Sequence, residues 1–145
     1  RQLGAVGNPA VNGGAPLLLA WAPGAGSGVA GAQICATAVA AEMRALCQHH
    51  AVATIPTNGG NQDIVPMATL AARRAFHQTE LLARVLGALA VALGQLNGLR
   101  AKGRVAGTPA APPPGFPGFA AFAADRPLDA DIERLAAHFL APAAA

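Results

Sequence analysis

Residues from near Asp63 to near Arg100 carry one continuous helical pattern, and that length constrains the fold more than any other feature. Met67, Leu70, Arg74, His77, Leu81 and Arg84 mark one line along it, while Phe76, Leu82, Val85, Leu86, Leu89, Leu93 and Leu96 build an apolar surface. Helices in globular domains average about 11–12 residues, so one of ~35 belongs to a bundle that crosses a subunit or a whole assembly. The spacing predicts a start at Asp63 with Pro66 in the first turn, where a missing N–H costs nothing. From Val85 onward the pattern is apolar nearly all round, which predicts burial on every side. Gly87, Gly94 and Gly98 each weaken such a helix by about 1 kcal/mol relative to Ala, and as small residues they admit close packing.

The rest of the chain organises around that helix. Residues 1–27 read as an irregular lead-in, with turns at Asn12-Gly13-Gly14 and Pro23-Gly24. Ser27 is placed to cap a first helix over Gly28 to Gln48, whose Ile34, Ala38, Ala41 and Ala45 share a face. The helical core spans 28–103, interrupted by a loop from His49 to Gly60. Residues 104–127 form a Pro- and Gly-rich connection that cannot be helical, in which Phe116, Phe119 and Phe122 can pin the segment to a neighbour. Residues 128–145 supply a short terminal helix, Leu128 to Leu140, and a tail, with Asp129 and Asp131 near the helix start where its dipole favours acids. The expected class is all-α: a long-helix bundle with one extended connection.

Composition bears on what such a bundle does. Alanine dominates, only 12% of residues are charged, and there is no Tyr. Alanine favours helix but buries little area, and few charges are available to cover the surface, so apolar surface is left over for other chains. That predicts an obligate assembly member. The net charge of +3 is carried by scattered residues, which excludes a nucleic-acid interface. Cys35 and Cys47, about 18 Å apart along one helix, are too far apart for a disulfide or a shared metal and read as small buried hydrophobes. His49-His50 sits at a helix end with no third ligand in sight, so no metal site is expected, and His77 on the long helix reads as structural. The most apolar run, Val85 to Leu93, falls short of the ~20 residues that span a bilayer, and no signal peptide is visible; both point to a soluble, cytoplasmic protein. A start at Arg1 predicts a processed product, a fragment or one piece of a longer frame.

Chemistry concentrates in Ile55-Pro-Thr-Asn-Gly-Gly-Asn-Gln-Asp-Ile-Val-Pro-Met67. Here a glycine-rich turn presents three amides, Asn58, Asn61 and Gln62, ahead of a helix N-terminus. Neutral donors beside unpaired helical N–H groups suit a carboxylate or a developing negative charge. An ordinary tight turn, with Asn61 capping the helix, fits the same residues.

This segment resembles the Asn-Gln-Asp-Val-Ser-Met region of phenylalanine and tyrosine ammonia-lyases and related aminomutases, and further matches follow in order. Pro9-Ala-Val-Asn-Gly-Gly-Ala-Pro16 is similar to the family's Asn-Gly-Gly-Leu-Pro segment. Ser27-Gly28 with Gly31-Ala-Gln33 resembles its Asn-Ser-Gly-Phe…Ala-Gln stretch, and Ala40-Ala-Glu-Met-Arg44 the end of that helix. Asp125-Arg-Pro-Leu-Asp129 with Asp131-Ile-Glu-Arg-Leu135 resembles the closing motif. The pattern departs at Pro66-Met67-Ala68, where the family has Ser-Met-Gly, and at Val29, where it has Phe.

The resemblance implies the C-terminal portion of an enzyme that uses 4-methylideneimidazol-5-one (MIO), formed from an internal Ala-Ser-Gly, together with a tyrosine base. Neither Ala-Ser-Gly nor any Tyr occurs here, and Gly26-Ser27-Gly28 is a decoy. MIO and base are therefore expected in an N-terminal partner chain within a tetramer-like assembly, with an aromatic amino acid as substrate and no activity from the isolated chain. By the resemblance, Asn61 and Gln62 match the amide pair beside MIO and substrate, and Asn58 a position that is Asn or Glu among relatives. Absence of the Glu in the histidine lyases' Gln-Glu-Asp-His run argues against histidine as substrate. Two rival readings are an inactive paralogue acting as an assembly scaffold and a free helical module that binds an apolar partner.

Overall fold

Residues 1–141 are described by a computed structural model, so the tail at 142–145 lies outside the described residues. Among those residues there are four α-helices and no strand: α1 (Gln2–Val6), α2 (Ala30–Ala45), α3 (Ala68–Ala101) and α4 (Asp129–Leu140). The class is all-α, and α3 runs unbroken for 34 residues through Gly87, Gly94 and Gly98.

The start of α3 differs from expectation. It begins at Ala68 with Met67 as N-cap, leaving Asp63 and Pro66 outside the helix. Proline pushes the preceding residue out of helical backbone geometry, and that residue, Val65, instead donates its N–H to Thr54 Oγ1 at 2.7 Å. α2 is likewise shorter than expected. Its N-cap is Val29, not Ser27. The Ser27 and Gly28 N–H groups donate to the Asp125 carboxylate at 2.6 and 3.1 Å, so a residue from the far end of the chain holds the entry to α2.

α3 is the spine. Leu81, Ala88, Ala92, Gln95 and Leu99 recur on one stripe and are all buried. They join Leu19, Val29, Val91, Leu96, Phe122 and Leu135 in the interior. The helix is not buried all round, since Leu82 and Leu93 are 45% and 48% exposed. A second, alanine-built contact sets Ala32 and Ala36 of α2 against Ala88. By length and composition α3 as a whole is apolar enough to cross a membrane, which corrects the estimate drawn from Val85 to Leu93 alone. Half of its most apolar window is buried against the rest of the chain, as in a core helix.

The three helical glycines act within this chain. A Cβ on Gly87 would stand 2.5 Å from the Ile132 carbonyl oxygen and 3.2 Å from the Ala136 nitrogen, so α4 lies against the spine there. Arg84 pairs with Glu133 at 3.0 Å across the same contact. Gly94 takes the Phe119 ring and Gly98 takes Ala121. The Pro- and Gly-rich connection is therefore docked on its own long helix, with Phe122 buried in its own core. Phe116 packs on His138 and Phe139 of α4. These three aromatics pin the segment to its own chain.

The lead-in is also less irregular than expected. It contains α1 and a 3-10 turn at Leu17–Leu19, with Leu18 and Leu19 in left-handed backbone (φ 54° and 56°). Such geometry costs non-glycine residues of order 1–3 kcal/mol each. It is held by Leu18 N–H donating to Gly7 O, Val29 N–H donating to Leu18 O, and complete burial of Leu19. Cys35 and Cys47 are exposed rather than buried: Cys35 lies off the buried Ala32–Ala36 stripe of α2, and Cys47 lies beyond the end of that helix.

Candidate functional site

The amide-rich segment folds as a small closed loop ahead of α3. Thr57 and Gln62 form an isolated antiparallel pair, with Thr57 N–H donating to Gln62 O at 2.9 Å and Gln62 N–H donating to Thr57 O at 3.3 Å. Between them Asn58, Gly59 and Gly60 all take positive φ (56°, 66° and 86°). Glycine accepts that region freely, and asparagine is among the few other residues that tolerate it. The Asn-Gly-Gly sequence is thus what lets the chain reverse here. One step further out, the Thr54 hydroxyl accepts the Val65 N–H and closes the base of the loop.

This architecture brings Asn58, Asn61 and Gln62 onto one short turn, and all three are exposed. Asn61 does not cap the long helix: α3 has no side-chain cap, and Asn61 lies before Pro66. Its N–H donates to Asn58 O at 3.2 Å, which tightens the turn and leaves its side chain outside the loop's hydrogen bonding. Gln62 is the amide held from within. Its Oε1 accepts the Thr57 hydroxyl at 3.1 Å. The turn can therefore offer neutral hydrogen-bond donors and acceptors without adding a charge, close in sequence to a helix start with no acidic residue in its first turn.

The surroundings are apolar. Val52, Ile55, Ile64 and Phe76 are each 70% exposed or more, around the loop and on the early part of α3. Nearby polar side chains are engaged within the chain: Arg74 with His50 at 3.3 Å, and His77 between Glu42 and Glu80 at 3.4 and 3.3 Å. Among the described residues, no three His, Cys, Asp or Glu side chains converge as a metal-binding group. Sequence reasoning missed Thr54 and Thr57, although a Thr directly before Asn-Gly-Gly, five residues from Gln62, is the spacing of a short turn whose ends can pair.

A sequence profile for the aromatic amino acid lyases matches residues 1–112, which include the whole of this loop and α3. The chain belongs to the aromatic amino acid lyase family. Tyrosine ammonia-lyase of Cereibacter sphaeroides is 36% identical over 145 residues, covering 97% of this chain and 28% of that protein. Tyrosine 2,3-aminomutase of Chondromyces crocatus is 35% identical over 96 residues, covering 66% of the chain and 18% of its own length. Histidine ammonia-lyase of Staphylococcus saprophyticus is 35% identical over 86 residues, covering 59% and 17%. The chain thus spans less than a third of the length of these lyase-family relatives. Lyases of this family use an MIO cofactor and form oligomers.

Proposed function

We propose that this chain is the C-terminal part of an MIO-dependent aromatic amino acid ammonia-lyase or 2,3-aminomutase, and that Asn58, Asn61 and Gln62 line its active site. The observation that carries the reading is the closed Thr57–Gln62 loop, which gathers three exposed amides within the region matched by the family. With no Ala-Ser-Gly and no Tyr in its sequence, the chain can make neither the MIO group nor the tyrosine base. Both lie outside this sequence, and in this reading the part that carries them covers the exposed apolar residues around the loop.

Once formed from Ala-Ser-Gly, MIO would supply an electrophile that captures the substrate. This chain's amides suit the space beside it, because they are neutral, preorganised by the turn, and able to donate to an oxygen without adding charge near a base. Asn58 and Asn61 carry no charge of their own, and covering the site would exclude water from them. The assembly is tetramer-like and cytoplasmic in this reading, with an aromatic amino acid as substrate. The scaffold alternative keeps the bundle and loses the chemistry; Pro66, which departs from the family pattern beside the loop, and Val29, which departs from it in the buried core, are the residues that favour it.

The test is to co-purify the chain with the Ala-Ser-Gly-bearing polypeptide and compare Gln62→Ala with the parent. Loss of one preorganised hydrogen bond in a closed site lowers turnover by about 10²–10³. We expect that loss with little change in melting temperature. Unchanged turnover with a lowered melting temperature would make the loop structural only, and an assembly without any turnover would favour the scaffold.

A further inference from the structure

We propose that Thr57 is the positioning residue of this site: its hydroxyl holds the oxygen end of the Gln62 amide, so that the amide N–H₂ is presented outward as a donor. This rests on the reading that Gln62 lines the active site.

A glutamine amide has two chemically different ends, and a free one turns about its last torsion to present either. Here the oxygen end is occupied. Thr57 Oγ1 donates to Gln62 Oε1 at 3.1 Å. The two residues are also directly paired through both backbone hydrogen bonds, at 2.9 and 3.3 Å. Directly paired residues carry their side chains on the same face, so the main chain itself sets the contact. The register depends on the three consecutive positive-φ residues between them, and Thr54 locks the base by accepting the Val65 N–H. A hydroxyl at 57 therefore meets the amide at 62 as a consequence of the turn.

The group so presented is an N–H donor, which recognises an acceptor oxygen: a substrate carboxylate, or an oxygen that gains negative charge during reaction. Glutamate could not serve, since it has no N–H₂ and would place a charge there. An amide free to rotate would spend part of its time offering its oxygen to that acceptor, which is repulsive.

The experiment uses the assembled enzyme and measures kcat, KM and melting temperature for Thr57→Val, Thr57→Ala, Thr57→Ser, Gln62→Ala and the double variant Thr57→Val/Gln62→Ala. We expect Thr57→Val and Thr57→Ala to lower kcat/KM about tenfold, the scale of one misdirected hydrogen bond. Thr57→Ser, which keeps the hydroxyl, should restore it to within about twofold. Adding Thr57→Val to Gln62→Ala should cost nothing further, because the residue acts through Gln62. A loss confined to KM assigns the acceptor to the bound substrate, and a loss in kcat to charge that develops in the reaction. Two outcomes would overturn the inference alone: Thr57→Val and Thr57→Ala as active as the parent while Gln62→Ala is impaired, or an equal loss from Thr57→Val with and without Gln62. Failure of Thr57→Ser to rescue would also overturn it. A silent Gln62→Ala would instead overturn the reading of the site, and this inference with it.

Discussion

Gln95 and Phe122 exchange two hydrogen bonds in the centre of the molecule: the Phe122 N–H donates to Gln95 Oε1 and Gln95 Nε2 donates to the Phe122 carbonyl, each at 3.0 Å. The same Nε2 reaches the Leu19 carbonyl at 3.3 Å. Gln95 is completely buried. One side chain of α3 thus substitutes for a strand partner to the extended connection and also binds the left-handed turn of the lead-in. Neither segment has a regular ladder of its own to satisfy its buried backbone groups.

Replacing Gln95 should accordingly cost more than its packing. Gln95→Ala leaves the Phe122 N–H and carbonyl without that partner, at about 1–3 kcal/mol per buried group. We expect destabilisation of about 2–4 kcal/mol, read as a lowered denaturant midpoint of the assembled protein. Gln95→Leu should be no milder, since it fills the space and still leaves the backbone unpaired. A variant as stable as the parent would show that water replaces the amide.

Gly87→Ala tests the packing of α4 on the spine. Intrinsic propensity favours alanine by about 1 kcal/mol in a helix. The new methyl would meet backbone on α4, 2.5 Å from the Ile132 carbonyl oxygen. Backbone cannot turn aside as a flexible side chain can, so we expect a net loss of about 1–3 kcal/mol. A raised melting temperature would refute this account of the α3–α4 contact.

Asp125 ties the closing segment to the start of α2 through the Ser27 and Gly28 N–H groups. Hydrogen bonds to a charged acceptor contribute about 1.5–3 kcal/mol, less at an exposed site. Asp125→Ala should lower stability by about 1–2 kcal/mol, with Asp125→Asn falling between it and the parent. Chemical denaturation of the three proteins measures the order, and equal midpoints would contradict it.

The chain by itself should be poorly soluble. Ile34, Val52, Ile55, Ile64 and Phe76 are each 70% exposed or more in the described chain, a large apolar area for so few charges. We expect aggregation on size-exclusion chromatography alone and solubility on co-expression with the completing polypeptide, with no MIO absorbance and no arylacrylate formation from the chain alone. A compact monomer with a cooperative melt would oppose this.

What the sequence determined by itself is what repeats within a few residues. Apolar spacing along α3 follows from helical periodicity, and the acids at the start of α4 suit its dipole, which is why both helices were legible; the Asn-Gly-Gly turn was legible because only a few residue types tolerate its backbone. The ordered family motifs were legible for the same reason: they are local strings. Tertiary structure decided what depends on residues brought together from far along the chain. Ser27 looked like a cap until Asp125 supplied the acceptor 98 residues later. Gln95 is a single polar residue on an apolar helix in the sequence, and only the fold brings Leu19 and Phe122 to it. Even α3's first turn was lost to a contact between Thr54 and Val65 that lies outside any helix. Periodicity reports which face of an element is apolar, but a buried polar group is stable only beside a specific partner, and that partner's position is a property of the folded chain.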